Sequence, residues 1–243
     1  MSISTTFNLR RRRTVILRAS SFKRWAYAGL VLGIAVTIAL TMYLRLSLGV
    51  SAGIVATGIL MFLVRRLISV ARCRPHQLVF YHYLIAILAL AALIAWLSGR
   101  PVLPYLDVIV IGFAVFVAVG RIGCLMVGCC HGRPAGYGVC YHARDVTAAF
   151  DRSFLGVRLF PIQALESFWL ILVAAAGAYL IRTEYWPGVV LVWFIVLYST
   201  ARFFFEFLRW RPAYSFFLGL TEAQWTSLLL LAVLGGGLWK FFG

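Results

Sequence analysis

Apolar residues run through this chain in long blocks, separated by short clusters rich in Arg, Gly and Pro. Seven blocks stand out, at roughly 25–44, 50–70, 78–97, 105–120, 163–181, 187–208 and 223–242. Each approaches the ~20 residues that a helix needs to cross the hydrocarbon core of a bilayer. Backbone polar groups in lipid must be satisfied within the segment, which favours helix over any open strand. The pattern therefore predicts an all-α, polytopic integral membrane protein of about seven transmembrane helices. Residues 1–24 are expected as a basic N-terminal tail and residues 25–243 as a single transmembrane domain. The arginines at 10–13 precede an apolar run too long for a signal peptide, so the tail reads as a cytoplasmic anchor or lipid-binding segment.

The stretch at 120–160 is the one long interval without a span, and it is expected as a glycine-rich loop that carries the active site. Arg121 sits directly after an apolar run, where a guanidinium costs several kcal/mol unless it faces a polar cavity or an anion. Gly120, Gly123, Gly128 and Gly132 fall within the thirteen residues 120–132, so the backbone there can bend tightly and approach a ligand. Arginine beside permissive backbone amides suits a phosphate. At the edge of a bilayer, most phosphates belong to lipids.

Further polar residues interrupt the later apolar blocks. Pro161 opens the fifth, and Gln163 and Glu166 share one face of its first turn. A carboxylate there can simply complement a helix N-terminus, but within a span it still needs a partner. In the sixth block Tyr198, Arg202, Glu206 and Arg209 are spaced four, four and three, which makes one polar stripe on a helix otherwise rich in Phe and Leu. Snorkelling explains Arg209 and Arg211 easily. It explains Arg202 and Glu206 less well, because Phe203, Phe204 and Phe205 place them at depth. His82 sits early in the third block; it is either a packing residue or a proton acceptor.

Composition agrees with a membrane class: 63% hydrophobic residues, 12% charged and a mean hydropathy of +0.94. Only seven acids face 23 Lys and Arg, for a net charge of +16. In a soluble chain that excess would suggest nucleic acid. Here the bases lie at the ends of apolar runs, so anionic lipid headgroups are the expected partner and nucleic acid is not. The five cysteines, Cys73, Cys124, Cys129, Cys130 and Cys140, do not follow a zinc-ligand spacing, and apolar packing is their expected role. No metal is expected.

Together these motifs resemble the prolipoprotein diacylglyceryl transferase family of bacterial inner membranes, over about residues 78–243. The resemblance rests on Gly120-Arg121-Ile122-Gly123 with Gly132 beyond it, on Pro161-x-Gln163-x-x-Glu166, and on Tyr198-x-x-x-Arg202-x-x-x-Glu206-x-x-Arg209. Thr221-x-x-Gln224 is a weaker echo, and the 39-residue step from His82 to Arg121 also suits the family. The family usually has Asn after its Arg-x-Gly, where this chain has Cys124.

The resemblance implies a seven-span, multi-pass enzyme that binds phosphatidylglycerol and moves its diacylglyceryl group to the lipobox cysteine of preprolipoproteins. On that basis His82, Arg121 and Arg202 are the expected catalytic residues. Gly120, Gly123, Gly132, Gln163, Glu166, Tyr198, Glu206 and Arg209 are the expected substrate-binding residues. No cofactor is expected, and the chain is expected to act as a monomer. The alternatives are a related lipid-headgroup transferase with another acceptor, or a non-catalytic phospholipid-binding membrane protein. An anion transporter is a third class, but transporters often carry internal repeats and the two halves here show none that is convincing.

Overall fold

In the computed structural model the described residues are 21–71, 80–143, 146, 150–183, 185–210 and 218–242. The expected tail falls almost wholly outside them, as does Cys73. Among the described residues are seven α-helices: α1 (Ser21–Tyr43), α2 (Leu48–Ala71), α3 (Phe80–Leu97), α4 (Val102–Val127), α5 (Ile162–Thr183), α6 (Val189–Leu208) and α7 (Glu222–Phe242). A short antiparallel pair, β1 (Pro134–Cys140) and β2 (Arg158–Leu159), lies between α4 and α5. Among the described residues, four stretches are long and apolar enough to cross a membrane: Phe22–Tyr43, Val102–Val127, Ile162–Thr183 and Val189–Leu208. Leu48–Val64 and Tyr81–Leu97 are shorter apolar helices.

Two boundaries differ from the sequence reading. Helix α1 already begins at Ser21, so the last residues assigned to the tail are helical. Helix α4 does not stop at Gly120 but continues through Arg121 to Val127. Gly120 and Gly123 are ordinary helical residues, and the break falls at Gly128, whose φ of 74° is the left-handed cap that glycine adopts at least cost. The connection after it also holds the β1–β2 pair, where a plain loop was expected. Glycine-rich sequence marked the right region but not the residue at which the helix ends.

Helix α4 is the centre of the fold and contacts α1, α3, α5 and α6. Small residues let it approach its neighbours closely. A Cβ on Gly112 would lie 2.0 Å from Thr37 Oγ1, and one on Gly33 would lie 2.7 Å from the Gly112 carbonyl oxygen. Close backbone approach replaces a hydrophobic driving force in lipid, where apolar tails compete equally for side chains. Val110, Ala114, Val117 and Ala118 on α4 then bury against Leu170 and Val173 on α5 and Phe194 on α6.

Buried Asp107, also on α4, fixes where α6 begins. Its carboxylate accepts from Gly188 N at 2.6 Å, Leu191 N at 2.8 Å and the Tyr185 hydroxyl at 3.1 Å. It thus satisfies N–H groups that a helix N-terminus otherwise leaves unpaired. Helix α7 caps itself: Thr221 N donates to Gln224 Oε1 and Gln224 N donates to Thr221 Oγ1, a reciprocal capping box. Gln224 Nε2 also donates to the Phe203 carbonyl, which ties α7 to α6.

Candidate active site

The polar residues of α4, α5 and α6 meet in one buried cluster around Glu166. Arg121 reaches its Oε2 through Nε at 2.7 Å, from the helix that the sequence reading had ended one residue earlier. Arg202 Nη1 lies 3.4 Å from Glu166 Oε1 and donates to Glu206 Oε2 at 2.7 Å. Arg209 Nη2 donates to Glu166 Oε1, and its Nε lies 4.0 Å from Glu206 Oε2. All five side chains are at most 8% exposed. The stripe foreseen on α6 is therefore real; α5 supplies a counter-charge in Glu166, and α4 adds a third guanidinium on that same carboxylate.

Three guanidiniums face two carboxylates here. In a low-dielectric interior this leaves one positive charge in excess, at a depth where an uncompensated ion is costly. Such a cluster suits a singly charged phosphodiester, and planar arginine forks match phosphate oxygens better than a lysine point charge does.

The remaining expected residues surround this core. Gln163, one turn before Glu166, donates through Nε2 to the Cys129 carbonyl at 2.8 Å. Tyr198, one turn before Arg202, stacks on Phe194 with centroids 5.3 Å apart and meets Tyr81 at 5.5 Å. The glycines divide by role. A Cβ on Gly120 would meet nothing within 4 Å, one on Gly123 would press on Trp25 and Phe22 of α1, and one on Gly132 would meet the Phe160 carbonyl oxygen at 2.6 Å. Gly123 is thus a helix-packing position. Gly132 lets the chain pass between Phe160 and Leu208.

That passage holds the end of α6. Arg133 N donates to the Leu208 carbonyl at 3.0 Å, Trp210 N donates to the His131 carbonyl at 3.2 Å, and Gly132 forms a bridge with Arg209. Phe160 N closes the other side on the Arg133 carbonyl. The segment between α4 and β1 therefore positions Arg209 from the backbone.

His82 stands apart from the cluster's recorded contacts. It is about half exposed, and its Nε2 lies 3.2 Å from Glu222 Oε1 at the start of α7. Its neighbour Tyr81 takes the buried face, with its hydroxyl 2.7 Å from Ser227 Oγ. Sequence reasoning missed Tyr81, Glu222 and the anchoring role of Asp107. Helix α3 is apolar on every face, so periodicity did not show which of Tyr81 and His82 turns inward. A lone carboxylate such as Asp107, early in a span, was the one available signal for a buried helix cap.

The family model described as prolipoprotein diacylglyceryl transferase matches residues 35–240. A phosphatidylglycerol–prolipoprotein diacylglyceryl transferase of Dehalococcoides mccartyi is 34% identical over 128 residues, covering 53% of this chain and 47% of that protein. The second such enzyme of Clostridium perfringens is 34% identical over 135 residues, or 54% and 49% of the two chains. That of Clostridium tetani is 30% identical over 134 residues, or 54% and 51%. The matched region spans about half the length of these curated relatives. With its family model covering most of the sequence, the chain belongs to the prolipoprotein diacylglyceryl transferase family.

Proposed function

We propose that this protein is a phosphatidylglycerol–prolipoprotein diacylglyceryl transferase of the bacterial inner membrane, with all seven helices spanning the bilayer. The observation that carries the reading is the buried cluster of Arg121, Arg202 and Arg209 on Glu166 and Glu206, with one positive charge in excess. Family membership and the activity for which the relatives are named supply the reaction.

In this reading Arg121 and Arg202 hold the lipid phosphate. The acceptor thiolate attacks the glycerol carbon bonded to the phosphate oxygen, a carbon–sulfur bond forms and the carbon–oxygen bond breaks. The electron pair leaves with glycerol phosphate, and the two arginines stabilise that departing charge. Glu166 and Glu206 hold the guanidiniums in place before the lipid arrives, so little reorganisation is needed during reaction. Gln163, Tyr198 and Arg209 complete the wall, and Gly120 offers open backbone on α4. Gly123 and Gly132 contribute by setting how closely α1 and the loop approach. His82 takes the proton of the incoming thiol, because thiolate is the nucleophile.

Complementation tests this directly. Cells depleted of their own transferase should regain diacylglyceryl-modified lipoproteins when this chain is expressed, and Arg202→Ala should fail to restore them. A stably inserted chain that binds phosphatidylglycerol but restores no modification would contradict catalysis and leave phospholipid binding as its role.

A further inference from the structure

The first turns of α3 and α7 meet beside the part of α6 that carries Arg202. Two side-chain contacts join them: the Tyr81 hydroxyl lies 2.7 Å from Ser227 Oγ, and His82 Nε2 lies 3.2 Å from Glu222 Oε1. Tyr81 also meets the ring of Tyr198, one turn before Arg202. On α7, Gln224 Nε2 donates to the carbonyl of Phe203, the residue after Arg202. The buried side chains of Tyr81 and Gln224 therefore fix the backbone next to both members of the pair. His82 and Glu222 themselves are 46% and 60% exposed, so they stand open while the arginine cluster is covered.

The contact decides which imidazole nitrogen is basic. Glu222 is the first residue of α7, where the helix N-terminus favours an ionised carboxylate. A carboxylate only accepts, so the hydrogen between the two groups belongs to Nε2 and the lone pair of neutral His82 sits on Nδ1. His131 is held the other way, because its Nδ1 lies 2.9 Å from the Gly132 carbonyl and must donate to it. His82 is also the third residue of α3, and a helix N-terminus opposes positive charge. The Glu222 carboxylate offsets that field when the imidazole takes up a proton. The ion pairs of Arg121, Arg202 and Arg209 run to Glu166 and Glu206, whereas that of Glu222 runs to His82. Glu222 therefore leaves the charge balance of the buried cluster unaltered.

We propose that Glu222 is the positioning residue for His82, fixing the tautomer and ring orientation in which Nδ1 takes the proton of the acceptor thiol. This rests on the reading of His82 as the base. In that step the sulfur–hydrogen bond breaks and a nitrogen–hydrogen bond forms at Nδ1, which leaves the thiolate free to attack. Glu222 stays ionised and stabilises the imidazolium. The proton then departs with glycerol phosphate, and the neutral Nε2–H imidazole is restored. Glu222 acts only through His82.

The test uses Glu222→Gln in the full chain, reconstituted in phosphatidylglycerol nanodiscs and assayed with a lipobox peptide. Glutamine keeps the size of the side chain and removes its charge. The kcat should fall about 10–100-fold, less than on losing the base itself, with KM for phosphatidylglycerol unchanged. The melting midpoint should stay near wild type, because an exposed ion pair contributes little to stability. Added to His82→Gln, the same substitution should cost no further activity. Nitrogen NMR of protein labelled at its four histidines reads the tautomer directly. His82, assigned by its loss in His82→Gln, should be the Nε2–H form in wild type and a mixture in Glu222→Gln, with His131 as the Nδ1–H reference. Wild-type turnover in Glu222→Gln would overturn the proposal. So would an equal loss when the change is added to His82→Gln, or an Nδ1–H form of His82 in wild type. A His82→Gln chain as active as wild type would overturn the base assignment and, with it, the role of Glu222. Absence of transfer by wild type would instead count against the transferase reading, and the tautomer would still decide whether Glu222 fixes the ring.

Discussion

Arg121 on α4 grips Glu166 on α5 through a 2.7 Å contact between two side chains that are 3% and 5% exposed. Glu166 also receives Arg202 and Arg209 from α6, so one carboxylate joins three helices. Removing its charge leaves three buried guanidiniums facing Glu206 alone. Breaking a buried ion pair costs about 3–5 kcal/mol. Glu166→Gln should therefore both lower the thermal midpoint in detergent and abolish lipid transfer. A variant with wild-type melting and turnover would show that Glu166 organises nothing.

Arg121 and Arg202 should fail differently from Glu166. Arg202→Ala and Arg121→Ala should insert and fold yet lose transfer, since each takes away positive charge that the lipid phosphate requires. Arg121→Lys should also be poor, because a lysine cannot span Glu166 and a phosphate with a planar fork. Labelled phosphatidylglycerol with a lipobox peptide reads this out. Full activity in Arg121→Lys would contradict a phosphate clamp.

Asp107 lies on the helix that carries Arg121 but holds the opposite end of α6. In Asp107→Ala the amides of Gly188 and Leu191 lose their acceptor, and each such buried orphan costs about 1–3 kcal/mol. The melting midpoint should fall clearly, with Asp107→Asn in between because one oxygen remains to accept. Turnover per folded molecule should stay near wild type. Unchanged stability in Asp107→Ala would refute the capping role.

His82 and Glu222 form a pair at the adjoining ends of α3 and α7. His82→Gln keeps a hydrogen-bonding group but loses proton transfer, so turnover should drop by about 10²–10⁴-fold while phosphatidylglycerol binding persists. Raising the pH should partly rescue it, because the acceptor thiol then ionises unaided as its own pKa of about 8.5 is approached. If His82→Gln matches wild type from pH 6 to 9, the histidine only packs against α7.

The sequence made the membrane class, the Arg121 segment and the α6 stripe legible for a physical reason. Charge in an apolar run is expensive, so Arg202 and Glu206 declare themselves by being there at all. Helix ends in glycine-rich stretches are less legible. Gly120 and Gly123 looked like a loop, yet both are helical, and at Gly123 the small residue serves the close approach of Phe22 and Trp25 on α1. The pairing of Arg121 with Glu166 joins residues 45 positions apart and carries no local signature. Glycines at 29 and 33, four apart on α1, were a readable sign of close helix packing, Gly33 against Gly112 and Gly29 against Phe116, that composition alone obscured.

The most direct measurement of the central claim is a transfer reaction with purified protein, glycerol-labelled phosphatidylglycerol and a lipobox peptide, analysed by mass spectrometry. The account predicts a peptide carrying a thioether-linked diacylglyceryl group on its cysteine, released glycerol phosphate in equal amount, and neither product with Arg202→Ala. An unmodified peptide in the presence of folded protein with bound phosphatidylglycerol would contradict it.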